Sequence, residues 1–278
     1  NVGGALIPII GGLLAEYYGW RYGFYIPGIF CIFGGFFLLL RLADTPRSLG
    51  LPKIEEYKNE MPKSEAKEVE KTISAKELLF KYVLKNKYMW ILGFAAFFVY
   101  IIRTAINDWT ITFLVKEKGI SMVSAGIGLF WFEMGGFLGS LFAGWSSDYF
   151  FNGRRGPINV AFSFLSAFAV LGLYFAPSGH LILHYLALFV IGFFIFGPQM
   201  LIGMAAAELS HVNAAGASTG FVSGWFGYLG AAFAGYPIGL ITEIYGWQGF
   251  FVVMCVSGVI ATLFLLPLWS LNHKPKEE

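Results

Sequence analysis

The chain has 278 residues, of which 57% are hydrophobic and only 13% charged, with a formal net charge of +2 and a mean hydropathy of +0.66. A soluble domain carries about 25% charged residues, so this composition excludes a water-facing globular surface and describes an integral membrane protein. The near-neutral balance supplies no basic stripe for nucleic acid, and Cys31 and Cys255, each inside an apolar run, read as core filler rather than a disulfide or metal site.

A helix needs about 20 apolar residues to cross the hydrocarbon core. On that measure the sequence predicts eight spans, near residues 1–18, 22–41, 88–114, 122–145, 157–177, 181–207, 214–242 and 248–270. The first opens at Asn1-Val-Gly-Gly, partway into an apolar run and without the basic region that begins a signal peptide. A piece of a longer chain is expected. Residues 42–87 form the one long polar segment. Its last part, Ser74-Ala-Lys-Glu77 followed by Leu-Leu-Phe-Lys-Tyr-Val, has the spacing of a capping box ahead of an apolar face, which predicts a short amphipathic helix on the membrane surface.

The cations set an orientation. Eleven Lys or Arg lie from Arg41 to Lys87, two more are Arg154 and Arg155, and two are Lys274 and Lys276; alternating spans put all fifteen on one side, against Arg21, Lys116 and Lys118 on the other. The rule that positive charge stays inside predicts a cytoplasmic linker and C-terminus.

Gly12-Leu-Leu-Ala-Glu-Tyr-Tyr-Gly-Trp20 reappears as Gly239-Leu-Ile-Thr-Glu-Ile-Tyr-Gly-Trp247. Each copy joins two spans at the outer face, where aromatic anchors and a Gly turn are expected in any case. Duplication is the alternative reading: spans one and two correspond to spans seven and eight, so that one six-span repeat ends at the linker and a second fills residues 88–270. Small residues recur at every fourth position in two rows, Gly216, Gly220 and Gly224, and Gly135, Gly139 and Ala143, a spacing that lets helix backbones approach closely in lipid. Gly197-Pro198 and Pro237 sit inside spans and predict kinks.

Arg103 is the only charge in the nineteen residues from Tyr88 to Ile106. Lys87 precedes it by sixteen residues and Lys116 follows by thirteen. At about 1.5 Å per residue, either lies roughly 20 Å or more along the axis. Even lenient insertion scales charge about 2.5–3.5 kcal/mol for an arginine at such depth. Such a residue either pairs structurally, here with Asp108 or Glu133, or binds an anion from an aqueous cavity, for which its planar fork suits phosphate and carboxylate. Asp108 is five residues on, about 140° around the helix, so the two do not share a face. Glu133, in Trp131-Phe-Glu-Met-Gly-Gly, is a mid-span carboxylate that needs a cation or a proton.

Gly144-Trp-Ser-Ser-Asp148-Tyr-Phe-Phe-Asn-Gly153-Arg154-Arg155-Gly156 joins spans four and five at the inner face. It resembles the loop signature of the major facilitator superfamily, with Asp148 facing Arg154 and Arg155 across a tight turn as a clasp between helices. It departs from the pattern in its longer Asp-to-Gly spacing and in carrying Tyr149 where the family has a basic residue. His180, His184 and His211 lack the acidic or Cys neighbours of a metal site. No nucleophile elbow, phosphate loop, zinc-protease or dinucleotide motif is present, so neither an enzyme nor a cofactor is expected.

Taken together, Asn1-Val-Gly-Gly, the run from Asp44 to Asn59, Tyr82-Val-Leu-Lys-Asn-Lys87 and Phe196-Gly-Pro-Gln-Met-Leu-Ile-Gly203 resemble the organophosphate:phosphate antiporters of the major facilitator superfamily. Arg103-Thr-Ala-Ile-Asn-Asp-Trp109, Glu133-Met-Gly-Gly-Phe, Phe151-Asn-Gly-Arg-Arg-Gly-Pro-Ile-Asn159 and Gly203-Met-Ala-Ala-Ala-Glu208 place the likeness nearest the branch of hexose-phosphate transporters and sensors. The resemblance covers essentially the whole chain. It implies an all-α polytopic membrane protein with eight of twelve transmembrane helices present. Residues 1–41 would be the last two helices of the N-terminal bundle, 42–87 the linker between bundles, and 88–278 the C-terminal six-helix bundle with a short tail.

It further implies exchange of a sugar phosphate, glucose 6-phosphate foremost, for inorganic phosphate across a bacterial inner membrane by alternating access, in a monomer. A sensor of external hexose phosphate acting on a histidine kinase, and a glycerol-3-phosphate carrier, are the alternatives. In the resemblance Arg103 is one of two phosphate-gripping arginines. Asp108 and Glu133 match carboxylates that pair with a lysine of the other bundle, Tyr100 and Tyr228 match aromatics of the pocket, and the small Thr104 leaves room for a hexose.

Overall fold

The computed structural model describes residues 2–43, 46–52 and 74–271. Nearly all of them are helical. They form α1 (Val2–Tyr18), α2 (Tyr22–Arg41), a single 3-10 turn Pro46–Leu49, α3 (75–84), α4 (Lys87–Lys116), α5 (Met122–Phe151), α6 (Arg155–Phe175), α7 (Leu181–Glu208), α8 (215–234) and α9 (Tyr236–Leu265). Most of the polar segment, 53–73, and the tail from 272 lie outside the described residues.

Six helical runs among the described residues are long and apolar enough to cross a membrane; the last, Val212–Leu268, has 57 residues and holds the seventh and eighth predicted spans together. It is divided at Gly246, whose φ of 66° and ψ of −170° are not helical. The first predicted span is the 17-residue α1. Both copies of the Tyr-Gly-Trp turn therefore use one device, since Gly19 has φ 93° and Gly246 φ 66°, a left-handed backbone that glycine adopts without a Cβ penalty.

The chain divides into two compact units, residues 1–9 with 76–278, and residues 10–75. In the larger unit α5 packs most extensively on α7, α6 joins α7 and α9, and α4 packs on α8 and α9. Its core is made of Leu92, Ile102, Ile106 and Phe113 of α4, Phe132 of α5, Leu188, Ile191 and Ile195 of α7, and Phe250 and Met254 of α9. The smaller unit contains the rest of α1 and all of α2, which buries none of its residues; Gly23 lies against the carbonyl of Gly11.

Capping follows local chemistry. Asn86 accepts from the Tyr88 amide at 3.0 Å to start α4 and donates to the Leu209 carbonyl at 3.0 Å, while the Ser121 hydroxyl accepts from the Ser124 amide at 3.2 Å to start α5. The capping-box segment is helical as predicted, Ala75–Glu77 running on as a π-helical stretch Leu78–Leu84.

The two rows of small residues have different fates. A Cβ on Gly135 or Gly139 would collide with the carbonyl oxygens of Phe189 and Phe193, and one on Gly192 with that of Phe132, so α5 and α7 touch backbone to backbone. Gly216, Gly220 and Gly224 have no heavy atom within 4 Å of a built Cβ, so the predicted close approach is not made by that row among the described residues. A periodic pattern equips a face for a neighbour but does not supply one. The kink predicted at Pro237 lies instead at Gly235 (ψ −109°), which leaves Pro237 in the first turn of α9, where its missing amide costs nothing. Pro198 is inside α7, whose helical run continues through it.

Candidate functional site

Arg103 lies in the middle of α4 with its side chain 31% exposed. Its Nη2 stands 4.0 Å from Oε1 of Glu133, which is near enough for an ion pair and too far for a hydrogen bond. The guanidinium carbon sits 5.4 Å from the centre of the Phe196 ring, on α7, in a cation–π contact. Its Nε is buried and has no hydrogen-bond partner. Glu133 is buried on α5, and Gly4 in the first turn of α1 leaves space for its carboxyl, since a Cβ there would come within 2.9 Å of the carboxyl carbon.

The guanidinium opens on a cavity of about 620 Å³ between α4, α5, α7 and α8, whose polar lining also includes Tyr100, Ser140, Gln199, Thr219 and Ser223. Ligand sites commonly measure about 300–1,000 Å³. The chemistry on offer is that of an anion site: one permanent cation with unfilled donors, a ring behind it, and neutral hydroxyls and an amide around it.

A second arginine is used quite differently at the end of α5. Asn152 takes a left-handed conformation (φ 52°), followed by Gly153 (φ 80°), so the chain reverses within a few residues into α6. Arg155 then donates from Nη1 to Asp148 at 2.6 Å and to the Ser147 hydroxyl at 3.2 Å, and from Nε and Nη2 to Oε1 of Glu208 at 3.3 and 3.2 Å. The predicted clasp is made by Arg155 alone; Arg154 turns its Nε to the Phe151 carbonyl at 3.2 Å, because its backbone is the N-cap of α6. Glu208, from the end of α7, is a third member that spacing could not reveal. Gly144 lies beside Met200 of α7.

The sequence model of the Major Facilitator Superfamily matches residues 1–235. The chain belongs to the major facilitator superfamily. It is therefore a multi-pass membrane protein of a transporter family. Among curated relatives, it is 50% identical to a probable hexose phosphate transport protein of Chlamydia muridarum, over 99% of this chain and 62% of that protein. It is 46% identical to the membrane sensor protein UhpC of Escherichia coli, over 100% of this chain and 63% of that one. It is 40% identical to a glycerol-3-phosphate transporter of Bacillus subtilis, over 99% and 62%. The chain thus spans about 62% of the length of the relatives it matches.

Of the residues singled out in this superfamily member, Arg103 and Tyr100 line one cavity. Tyr228 is 71% exposed and stands one ring behind, its centre 6.3 Å from that of Tyr100. Thr104 is not among the lining residues, and its hydroxyl is buried without a hydrogen-bond partner. Asp108 is exposed, accepts from Nδ2 of Asn107 at 2.9 Å and makes no ion pair among the described residues, so the structure joins Glu133, not Asp108, to Arg103. His184 is buried with Nδ1 at 3.0 Å from the His180 carbonyl, and His211 accepts from the Asn213 amide. No group of three potential metal ligands occurs among the described residues.

Sequence reasoning passed over Gln199, Ser140, Thr219 and Ser223. For Gln199 a signal existed: it is the only polar side chain between Tyr185 and Glu208.

Proposed function

We propose that this chain forms part of a hexose-phosphate:phosphate antiporter, with glucose 6-phosphate as the foremost organic substrate, working by alternating access. The observation that carries the reading is Arg103, a guanidinium at mid-helix with a buried, unpartnered Nε, opening on a cavity large enough for a sugar phosphate. A doubly charged phosphate presents the acceptor oxygens that such a fork binds two at a time. Tyr100 would flank the sugar with Tyr228 behind it, and the small Thr104, next to Arg103 on α4 though outside the lining, would leave the site room. The names of the relatives support the substrate class.

In this reading residues 1–41 close an N-terminal bundle, 42–87 link the bundles and 88–278 make the C-terminal one. Asp108 and Glu133 take part in a charge network between bundles that includes a lysine, while Gly144, Asp148, Gly153, Arg154 and Arg155 form the inner gate. The protein is a monomer in a bacterial inner membrane, with linker and C-terminus in the cytoplasm, the side to which the excess of Lys and Arg assigns them.

The deciding experiment loads vesicles carrying the full-length protein with phosphate and follows uptake of labelled glucose 6-phosphate. Uptake that requires internal phosphate is expected; none with any sugar phosphate removes the reading. A second reading is favoured by the 46% identity to a membrane sensor: the same cavity would report hexose phosphate to a histidine kinase. Binding of glucose 6-phosphate without flux selects it.

A further inference from the structure

Gln199 lines the Arg103 cavity with a side-chain oxygen that is buried and has no hydrogen-bond partner. It follows Phe196 by three residues, and the ring of Phe196 carries the guanidinium of Arg103, so Gln199 lies about 4.5 Å further along α7 than the anion site. One turn beyond it, Gly203 contributes no side chain, and the Ser223 hydroxyl stands where a Cβ on Gly203 would be 3.1 Å away. Two of the other cavity hydroxyls are already engaged as donors: Ser140 to the Phe137 carbonyl at 2.9 Å and Thr219 to the Gly203 carbonyl at 3.3 Å. A buried amide oxygen left without a donor is costly, and this one belongs to a residue that lines the cavity on which Arg103 opens.

We infer that Gln199 is the residue that recognises the organic half of the transported phosphate ester, by a hydrogen bond to a sugar hydroxyl while Arg103 holds the phosphate. The inference rests on the function proposed above and adds a residue that sets specificity. A hydroxyl donates and accepts, so it satisfies the amide in either orientation. Inorganic phosphate has no substituent to extend along α7 and leaves the amide unfilled. Gln199 therefore discriminates between the two exchanged ligands, whereas Arg103 serves both.

The test measures dissociation constants of glucose 6-phosphate and inorganic phosphate for the purified full-length protein and for Gln199→Met, which keeps the length and shape of the side chain. The ratio of the glucose 6-phosphate constant to the phosphate constant is expected to rise about five- to tenfold, the worth of one net hydrogen bond. An unchanged ratio, whether both constants move together or neither moves, overturns the assignment. Should Gln199→Met not give folded protein, Gln199→Asn, which withdraws the amide by one methylene, must shift the ratio in the same direction. Wild-type protein that binds neither ligand sinks the proposed function and this assignment together, while wild-type binding with an unmoved ratio sinks only the assignment.

Discussion

Arg155 and Arg103 are the same side chain in two contrasting settings. All three guanidinium nitrogens of Arg155 donate, to two carboxylates and a hydroxyl, at 2.6 to 3.3 Å. Arg103 has one carboxylate at 4.0 Å, an aromatic ring at 5.4 Å and a buried Nε with no acceptor. Arg155 ties the ends of α5, α6 and α7 together, and its geometry leaves little for a ligand. Arg103 sits where a charge is most expensive, yet its hydrogen-bonding capacity stays unfilled beside a cavity. A buried cation kept for structure is expected to be saturated with partners. On the function proposed above, the difference between the two settings is that between a structural arginine and one that receives an anion.

The largest effect expected from this contrast is at Arg103. Replacing it by lysine keeps the charge but removes the fork, so one of the charge-assisted hydrogen bonds to phosphate goes. Phosphate and glucose 6-phosphate should both bind about 10–100-fold more weakly, with little change in thermal stability, because few protein contacts are lost. Equilibrium binding with a parallel melting curve checks it. Near-normal binding with a large drop in melting temperature would make Arg103 a structural residue like Arg155.

Arg155→Met should give the converse pattern. It leaves Asp148 and Glu208 without their shared partner, but Asp148 is 64% exposed and Glu208 31% exposed, so solvent recovers much of the loss. A destabilisation of about 1–2 kcal/mol is expected, read from the denaturation midpoint. Phosphate affinity should stay within about twofold, a change of under 0.5 kcal/mol. A collapse of phosphate affinity in Arg155→Met would mean that the clasp shapes the cavity and that the two arginines are not independent.

Much of the architecture was legible because the lipid core imposes a length and a hydropathy. The limits of the spans were less so: α5 runs to Phe151, six residues past the apolar stretch that announces it, since helices continue into polar surroundings that hydropathy cannot register. Arg103 was legible as a lone charge in an apolar run. Gln199 obeys the same logic on α7, but a neutral amide barely changes the hydropathy of its span, so it passed unnoticed until the cavity placed it. Glu208 was hidden for another reason, lying 53 residues from Arg155 with no local pattern to connect them. The glycine rows mark the boundary of this kind of reading. Gly135 and Gly139 have a partner in α7 and Gly216, Gly220 and Gly224 have none among the described residues, although the spacing is identical.

The smallest expected effect probes how loosely Arg103 is held. Among the described residues Glu133 is the one carboxylate paired with it, and on the proposed function it would compete with an incoming anion for the same cation. The direct attraction of charges about 4 Å apart is roughly 4 kcal/mol at an effective dielectric constant near 20, which is a ceiling, because phosphate and Glu133 can share the guanidinium from different sides. Glu133→Gln keeps the shape beside Gly4 and removes the competing charge, so phosphate should bind about three- to tenfold more tightly, or about 0.7–1.4 kcal/mol, as measured by calorimetry on the full-length protein. Weaker binding would carry the opposite meaning. It would show that Glu133 aims the guanidinium rather than competing for it, in which case Arg103, like Arg155, depends on its carboxylate for its geometry and the two differ only in how many partners they have.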